Sequence, residues 1–451
     1  MPAQSIPTVA IVGAGFSGTL LAIHLLRRGG VRVVLIGERL GRGVAYSTTC
    51  NEHLLNVPAA KMSAFVDTPL DFLDWCRSQN QENSVEAHSF VPRKQYGAYL
   101  EYLLAEAKNE RLEYVQGQAI NAMPRSGGGF DLQMADGGQQ SCDRLVLAIG
   151  NALPANPSVQ FGASFYDDPR YIRNPWCASA LADLDATEPV LLIGSGLTMV
   201  DKVIELRSTG FTGSILALSR RGLLPASHPL QSAPFTFSAD QLPSNVRSLC
   251  QLLRRSAAQH TNWQSVIDAL RPHTVKLWQS LPLDERRRFL RHVRPYWEVM
   301  RHRLAPSIHA VMECELANKS LSVQAGRLLG FRERSSTIAV HWLKRGSQNI
   351  EIETVQRVIN CTGPQCRLEK IDNPLLTNLH DQGLLRPDPL YLGVDADTNG
   401  GLIDLQSQPS DQLFALGCLL RGQFWESTAV PELRVQAEKL ATLLCQLHAQ
   451  K

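Results

Sequence analysis

Two glycine turns constrain this chain more than any other feature of its sequence. The first, Gly13-Ala-Gly-Phe-Ser-Gly18, follows a short apolar run, Thr8–Val12. It opens a stretch of helical periodicity, Phe16–Arg28, that Gly29 and Gly30 stop. In a strand–turn–helix unit, Gly13 permits the tight turn and Gly15 lets backbone N–H groups approach a diphosphate. Gly18 allows the helix to pack closely on its strand. The helix start then presents its partial positive charge to the phosphates. Val31–Ile36 is the apolar, β-branched run that a parallel strand buried on both faces requires. Glu38 ends it, twenty residues past Gly18, where a carboxylate can accept hydrogen bonds from ribose hydroxyls. Gly13, Ala14, Gly15, Phe16, Ser17 and Gly18, with Glu38 and Arg39, are therefore expected to bind one dinucleotide.

The layout recurs. Val190–Ile193 reads as a strand, Leu197–Arg207 as a helix and Ile215–Ser219 as a second strand, with Gly194-Ser-Gly-Leu-Thr-Met199 between the first two. Gly194, Ser195, Gly196, Leu197 and Thr198 are the expected contacts to a second dinucleotide. Met199 stands in place of the third glycine, so this helix should sit slightly further from its strand. Asp201 and Thr198 read as residues that cap or pack the helix. The second strand ends not in an acid but in Ser219-Arg-Arg221. A carboxylate there would repel a 2′-phosphate, whereas Arg220 and Arg221 can bind it bidentately, which favours NADPH over NADH. The alternative is a solvated arginine pair.

Two further apolar strands end in glycine, at Gly150 and at Gly363, where the chain would cross between nucleotide domains. The expected fold class is thus α/β, with two Rossmann-like dinucleotide-binding domains and a helical insertion. The first domain runs over 1–160 and resumes over 363–451, and the second runs over 186–235 and resumes over 313–362. The insertion occupies 236–312. A proline-containing linker spans the crossover, 110–140 reads as a small antiparallel sheet, and 69–79 and 94–107 read as helices.

At 451 residues, 44% hydrophobic and 19% charged, the chain can bury two or three cores. A net charge of +3 is too small to imply nucleic-acid or membrane binding. No apolar run reaches the roughly 18 uncharged residues of a membrane span. Val9–Leu26 is apolar, but its glycines mark it as part of a mature fold rather than a leader, so the expected location is cytoplasmic. None of the ten cysteines forms a C-x-x-C pair, which argues against a redox-active dithiol, and no metal site is expected. Between 284 and 303, Arg and His cluster with Phe289, Leu290, Val293 and Trp297, which can share one helix face. Either this is a solvated helix covering the nucleotide domain, or some of these side chains line a substrate entrance and favour an acidic or zwitterionic molecule. His292 and His302 are the candidate proton carriers there.

Gly13–Gly18 with Glu38, Gly41-Arg-Gly-Val-Ala-Tyr46, and Leu54-Leu-Asn-Val-Pro58 through Phe65 resemble the flavin-containing monooxygenase superfamily. Nearly the whole chain resembles a bacterial family of FAD/NAD(P)-binding proteins. That likeness rests on Leu197-Thr-Met-Val-Asp201, Ser219-Arg-Arg-Gly-Leu-Leu-Pro225, Arg301-His-Arg303 and Trp425-Glu-Ser-Thr-Ala-Val-Pro-Glu432. The resemblance implies FAD in the first domain, with its flavin ring at the domain interface. It puts Gly43, Val44 and Tyr46 beside the flavin and Asn56 near its reactive edge, where an amide can both donate and accept. Asn56 also fits a plain turn before Pro58. Gly417 would begin the C-terminal FAD segment, and Glu426, Ser427 and Thr428 would approach the pyrimidine edge of the flavin.

One departure bears on the chemistry. The region 161–176 lacks the histidine of the F-x-G-x-x-x-H fingerprint found in many such monooxygenases. The resulting expectation is an FAD- and NADPH-dependent monooxygenase that uses molecular oxygen, through a peroxyflavin, to hydroxylate a small amino acid or amine nitrogen. The rivals are an NAD(P)H-dependent flavin reductase without oxygen insertion and a non-enzymatic nucleotide sensor.

Overall fold

The structure, a computed structural model, describes residues 6–79, 85–229, 235–260 and 262–449. It divides into two compact units. The first comprises Met1–Asn51, Val57–Ala152 and Cys366–Lys451, and the second Glu52–Asn56 and Leu153–Gln365.

The first unit is built on a six-stranded sheet in the order Gly401–Ile403, Pro409–Ala415, Arg144–Leu147, Thr8–Val12, Arg32–Gly37 and Leu112–Gln116. All neighbours run parallel except the first pair. The central runs are apolar because both faces are covered: Ala10, Ile11, Val33, Val34, Leu35 and Ile36 are all fully buried. The expected antiparallel sheet forms from Ala119–Pro124, Phe130–Met134 and Gln139–Cys142. Leu112–Gln116, read from sequence as part of it, instead joins the parallel sheet beside Arg32–Gly37. It lies at the sheet edge and is only half-buried, so its composition does not show the continuous apolar signature of a central strand.

The first glycine turn is dictated by contact. Gly13 has φ +113°, and a β-carbon there would lie 2.2 Å from the carbonyl oxygen of Ala148, just past the neighbouring strand. A β-carbon on Gly18 would come within 1.8 Å of Gly13 O. Neither distance is possible, so both positions exclude every other residue. The helix Phe16–Arg28 consequently packs against its own turn, and its residues Gly18 to Leu26 are all buried.

The second unit carries a seven-stranded sheet: Ile350–Val355, Ile338–Lys344, Leu321–Glu333, Ile215–Ser219, Val190–Ile193, Arg357–Asn360 and Tyr171–Ile172. The last five are parallel and the first two antiparallel. The proline-containing segment is no free linker, because Tyr171–Ile172 pairs with Val358 and Ile359 and extends the sheet. The Phe165 ring lies tilted against Phe331, with centroids 4.7 Å apart. A two-residue strand between prolines has no periodicity to read. Gly194 repeats the geometry of Gly13, with φ +116° and a hypothetical β-carbon 2.5 Å from Cys361 O.

The insertion is helical, as Val246–Gln259, Trp263–Leu270, Thr274–Ser280, Leu283–His292, Arg294–Arg301 and Pro306–Ala317. Leu304 and Met312 are buried in one core with Met199, Val203 and Leu206 of helix Leu197–Ser208, so it is anchored rather than appended. Arg303 is 1% exposed. Its guanidinium donates to Asp268 Oδ2 at 2.9 Å, Gln264 O at 3.1 Å and Met300 O at 2.8 Å, which joins two insertion helices. Helix Leu283–His292 buries no side chain fully, although Phe289 meets the buried Trp297 edge-on at 6.4 Å.

His24, inside the first helix, sets a pH limit on the first unit. It is buried edge-on against Phe65 at 5.6 Å. Burial, with Arg28 and Arg27 adding to it, holds its pKa down to about 4. The folded state therefore resists a proton that the unfolded chain accepts near the ordinary value of 6.5. Its contribution is complete above about pH 6.5 and is lost as the pH falls toward about 4, at a cost of roughly 3 kcal/mol. His24→Leu should flatten the decline of the thermal midpoint across that window. Equal slopes in the variant and the wild type would exclude this origin.

Candidate functional site

In the first unit the sequence-predicted residues gather around the helix start. Gly15 caps the helix Phe16–Arg28 with extended backbone, and no side chain satisfies its first N–H groups. The segment Gly43–Tyr46 forms a short helical turn against them. Gly43 has φ +59°, and a β-carbon on it would lie 3.1 Å from both Gly15 Cα and Phe16 N. Two glycines thus let two stretches of main chain approach each other at the helix N-terminus. Gly41 N–H fixes the approach by donating to Ala14 O at 2.9 Å, and Arg42 braces it with two hydrogen bonds of 2.7 Å to Glu101. Phe16, Tyr46 and the buried Tyr96 form an aromatic floor with centroids 4.7 to 6.0 Å apart. Burial pushes the Tyr46 hydroxyl pKa well above its ordinary value, so it stays protonated.

The C-terminal part of the unit reaches the same turn. A β-carbon on Gly417, φ +85°, would lie 2.9 Å from Ser17 Oγ. Ser427 is fully buried, and its hydroxyl has no hydrogen-bond partner among the described residues. Glu38, Arg39, Val44, Gly150 and Thr428 are exposed, Glu38 and Arg39 directly after strand Arg32–Gly37 and Gly150 at φ +73° past strand Arg144–Leu147. The orphaned hydroxyl, the paired glycines and the uncapped helix start fit a dinucleotide with polar groups at both ends.

The second unit holds a cavity of about 820 Å³. Gly194, Ser195, Gly196, Leu197 and Thr198 form one wall, Arg220 and Arg221 another, and Gly363 a third. The helix start at Gly196 is again uncapped by any side chain, and Thr198, expected either to contact the dinucleotide or to cap or pack the helix, lines the cavity. Ser195 Oγ donates to Leu223 O at 2.6 Å and lies 2.9 Å from Ser219 Oγ, which accepts from Gly222 N–H at 2.9 Å. These bonds hold the arginine-bearing turn against the glycine turn.

His302 lines the cavity, as the substrate-entrance reading of the Arg and His cluster allowed, but several other lining residues were not legible in the sequence. Arg327 enters from strand Leu321–Glu333, and Pro295, Glu298, Val299 and His302 come from the insertion. Arg221 lies over the ring of Tyr296 at 5.4 Å and donates to its hydroxyl at 3.3 Å. The Arg and His cluster of the insertion therefore divides: His302 faces the cavity, whereas Arg303 is a structural tie. Its spacing did hint at a wall, but not at which side chains turn inward.

Asn56 belongs to the second unit. Its main-chain carbonyl accepts from His228 Nε2–H at 2.9 Å, and its side-chain amide makes no hydrogen bond among the described residues. Among these residues no helix is long and apolar enough to cross a membrane, and no group of three His, Cys, Asp or Glu is placed to hold a metal.

Comparison with known proteins places these features in a recognised fold. Residues 10–152 match the model of a family described as FAD-NAD(P)-binding. No curated protein sequence matches the chain. Among solved structures, the reduced form of the ornithine hydroxylase PvdA from Pseudomonas aeruginosa is 17% identical with a TM-score of 0.66, covering 98% of this chain and 99% of that one. The FAD-bound cadaverine monooxygenase DfoA from Erwinia amylovora is 13% identical with a TM-score of 0.68, covering 98% and 95%. The ornithine N-hydroxylase KtzI of Kutzneria sp. 744, solved with reduced FAD, NADP⁺ and L-ornithine, is 13% identical with a TM-score of 0.66, covering 98% and 99%. At these identities the likeness shows the fold, and it runs through 95% or more of each chain.

Proposed function

We propose that this protein is an FAD- and NADPH-dependent oxidoreductase that hydroxylates the nitrogen of a small amine or amino acid. The observation that carries the proposal is the pair of uncapped helix starts, one in each unit, each behind a glycine that tolerates no β-carbon. Two such sites in one chain call for two dinucleotides. The strand ends divide them. Glu38 suits the ribose of FAD, and Arg220 with Arg221 suits a 2′-phosphate.

In the first unit Gly15 and Ser17 would offer main-chain N–H groups to the FAD diphosphate, at the turn that Gly13 makes possible and fixes by donating to Ile36 O at 2.8 Å. Gly43, Val44 and Tyr46 would flank the flavin, and Ser427 and Thr428 would take the far end of the ring. The buried Ser427 hydroxyl is then satisfied. In the second unit Gly194 to Thr198 would bind the NADPH diphosphate and Arg220 and Arg221 its 2′-phosphate. FAD, when bound, takes two electrons from NADPH and activates O₂. The net reaction turns R–NH₂, O₂, NADPH and a proton into R–NHOH, water and NADP⁺.

The chain's own tasks are to bind, orient and exclude water. Asn56 would stand at the reactive edge, where its amide can hold an oxygen atom by donating without releasing a proton early. The three solved enzymes compared above act on ornithine or cadaverine, which supports a basic or zwitterionic amine here rather than the acidic molecule that the arginine cluster also allowed. The missing histidine between 161 and 176 favours a second reading, electron transfer from NADPH to an acceptor without oxygen insertion.

The deciding experiment supplies the purified yellow protein with NADPH, O₂ and a panel of ornithine, lysine, cadaverine and related amines. Hydroxylamine product in near one-to-one ratio with NADPH consumed is the expected outcome for one of them. Peroxide alone, with every amine, would leave the reductase reading.

Coenzyme choice gives a separate prediction. Arg220→Ala/Arg221→Ala should cost about 2–4 kcal/mol of NADPH recognition, roughly 30- to 1000-fold in kcat/KM for flavin reduction. The value for NADH should change little. An equal loss with both coenzymes would mean that these arginines support the fold, not the phosphate.

A further inference from the structure

Glu52–Asn56 is the one stretch within 1–152 that belongs by its contacts to the second unit. Two histidines hold it there. The His53 side chain is buried and lies edge-on to Trp176 at 6.2 Å. Its Nε2–H donates to Asp201 O at 3.0 Å, with Glu205 Oε2 3.8 Å away. Glu205 in turn accepts from the Lys202 ammonium at 2.5 Å, and that ammonium sits 5.0 Å over Trp176. Three residues further on, Asn56 O accepts from His228 Nε2–H at 2.9 Å. Both acceptors are carbonyls, which cannot donate, so each histidine must carry its proton on Nε2.

His228 is itself fixed to the cavity wall. Its own N–H donates to Leu304 O at 3.0 Å, Leu304 N–H donates to Ala226 O at 2.8 Å, and Ala226 N–H donates to Val299 O at 2.9 Å. Val299 and the neighbouring Pro225 line the nucleotide cavity. A short ladder of main-chain hydrogen bonds therefore runs from the cavity wall to His228, and one more bond carries it to Asn56. The Asn56 amide has no partner of its own among the described residues, so its position is set by the main chain that His228 holds.

We propose that His228 is a positioning residue, tying Asn56 to the wall of the nucleotide cavity so that a coenzyme filling the cavity orders the Asn56 segment. His53 is the second anchor, at the other end of the segment. The catalytic consequence rests on the reading of Asn56 given above; the tether does not. If Asn56 works at the reactive edge, misplacing it by about 1 Å is enough to lose on the order of 100-fold in the reaction it serves. The design would make the amide accurate only when the coenzyme is present.

The test uses the full-length, FAD-loaded protein as wild type, His228→Phe and His228→Gln. Hydrogen–deuterium exchange of peptides spanning 52–57 is followed with and without NADP⁺, whose affinity is measured separately by titration. In the wild type NADP⁺ should slow exchange of this segment by about tenfold or more. His228→Phe should bind NADP⁺ within about threefold of wild type, a small difference in binding free energy, yet lose the slowing. His228→Gln, which keeps an N–H donor, should recover most of it. In turnover, His228→Phe should divert NADPH into peroxide, and the diversion should be no larger in the His228→Phe/Asn56→Ala double variant than in Asn56→Ala alone.

Slowing that survives in His228→Phe, or no slowing in the wild type, overturns the tether. A His228→Gln variant that behaves as His228→Phe does, with a lowered melting temperature in both, reduces His228 to a structural residue and also overturns it. Failure of every amine to give hydroxylated product would sink the function proposed above while the exchange result still decides the tether, since exchange requires only bound nucleotide.

Discussion

The architecture depends on one repeated contact: a glycine lying directly under the carbonyl that follows a neighbouring strand. In the first unit it joins Gly13 to Ala148 and in the second Gly194 to Cys361, with hypothetical β-carbons 2.2 and 2.5 Å from the two oxygens. Any side chain would force strand and turn apart. Because none is present, the turn stays at the end of the sheet and the helix start points beyond the strands. The capping positions Gly15 and Gly196 carry no side chain to occupy the first N–H groups. The positive end of the helix is thereby left for a phosphate. Fold and function share a single steric cause.

What differs between the units is built around that common turn. The first closes it with main chain, where Gly43 meets Gly15 and Gly417 meets Ser17, so the approach is shaped by absent side chains. The second closes it with charge and hydroxyls. Ser195 and Ser219 clamp the arginine turn, and the insertion brings Tyr296 beneath Arg221. An Arg on an aromatic face is held in place while its other N–H groups stay usable, which suits recognition of a phosphate. The insertion can do this only because it is rigid at its base, through buried Arg303 and through Leu304 and Met312 in the nucleotide-domain core.

Legibility in the sequence followed the range of the interaction. Glycine turns, buried parallel strands and the long helices are local patterns, and Phe16–Arg28, Val190–Ile193 and Ile215–Ser219 lie where the periodicity sets them. Leu112–Gln116 was misassigned because a half-buried edge strand lacks the apolar run of a central one. Tyr171–Ile172 was hidden because two residues carry no period, and helix Pro374–Asp381 is too short for a clear one. In the cavity of the second unit the glycine and arginine lining was readable and His302 was a candidate, whereas Arg327 and Glu298 arrive from elements far along the chain. The bond between His228 and Asn56 spans 172 residues, and no local pattern reports a partner at that distance.

The C-terminal motif shows the same logic carried into backbone strain. Trp425 has φ 57° and ψ −63°, and Glu426 N–H donates to Phe424 O at 2.6 Å across it. This is a three-residue turn of the uncommon positive-φ kind, and a bulky side chain there costs on the order of 1–3 kcal/mol. The ring is buried, and the Arg421 guanidinium lies 4.9 Å over it, so packing offsets part of that cost and holds the turn. Two residues later Ser427 is turned fully inward with its hydroxyl unpartnered among the described residues. A strained turn and a buried hydroxyl are both destabilising, and among the described residues the hydroxyl finds no hydrogen-bond partner. Segments shaped for a ligand carry costs of this kind, because the bound group supplies the missing hydrogen bond. Under the function proposed above, the strain at Trp425 and the uncapped helix start at Gly15 would be two halves of one arrangement, completed by a bound dinucleotide.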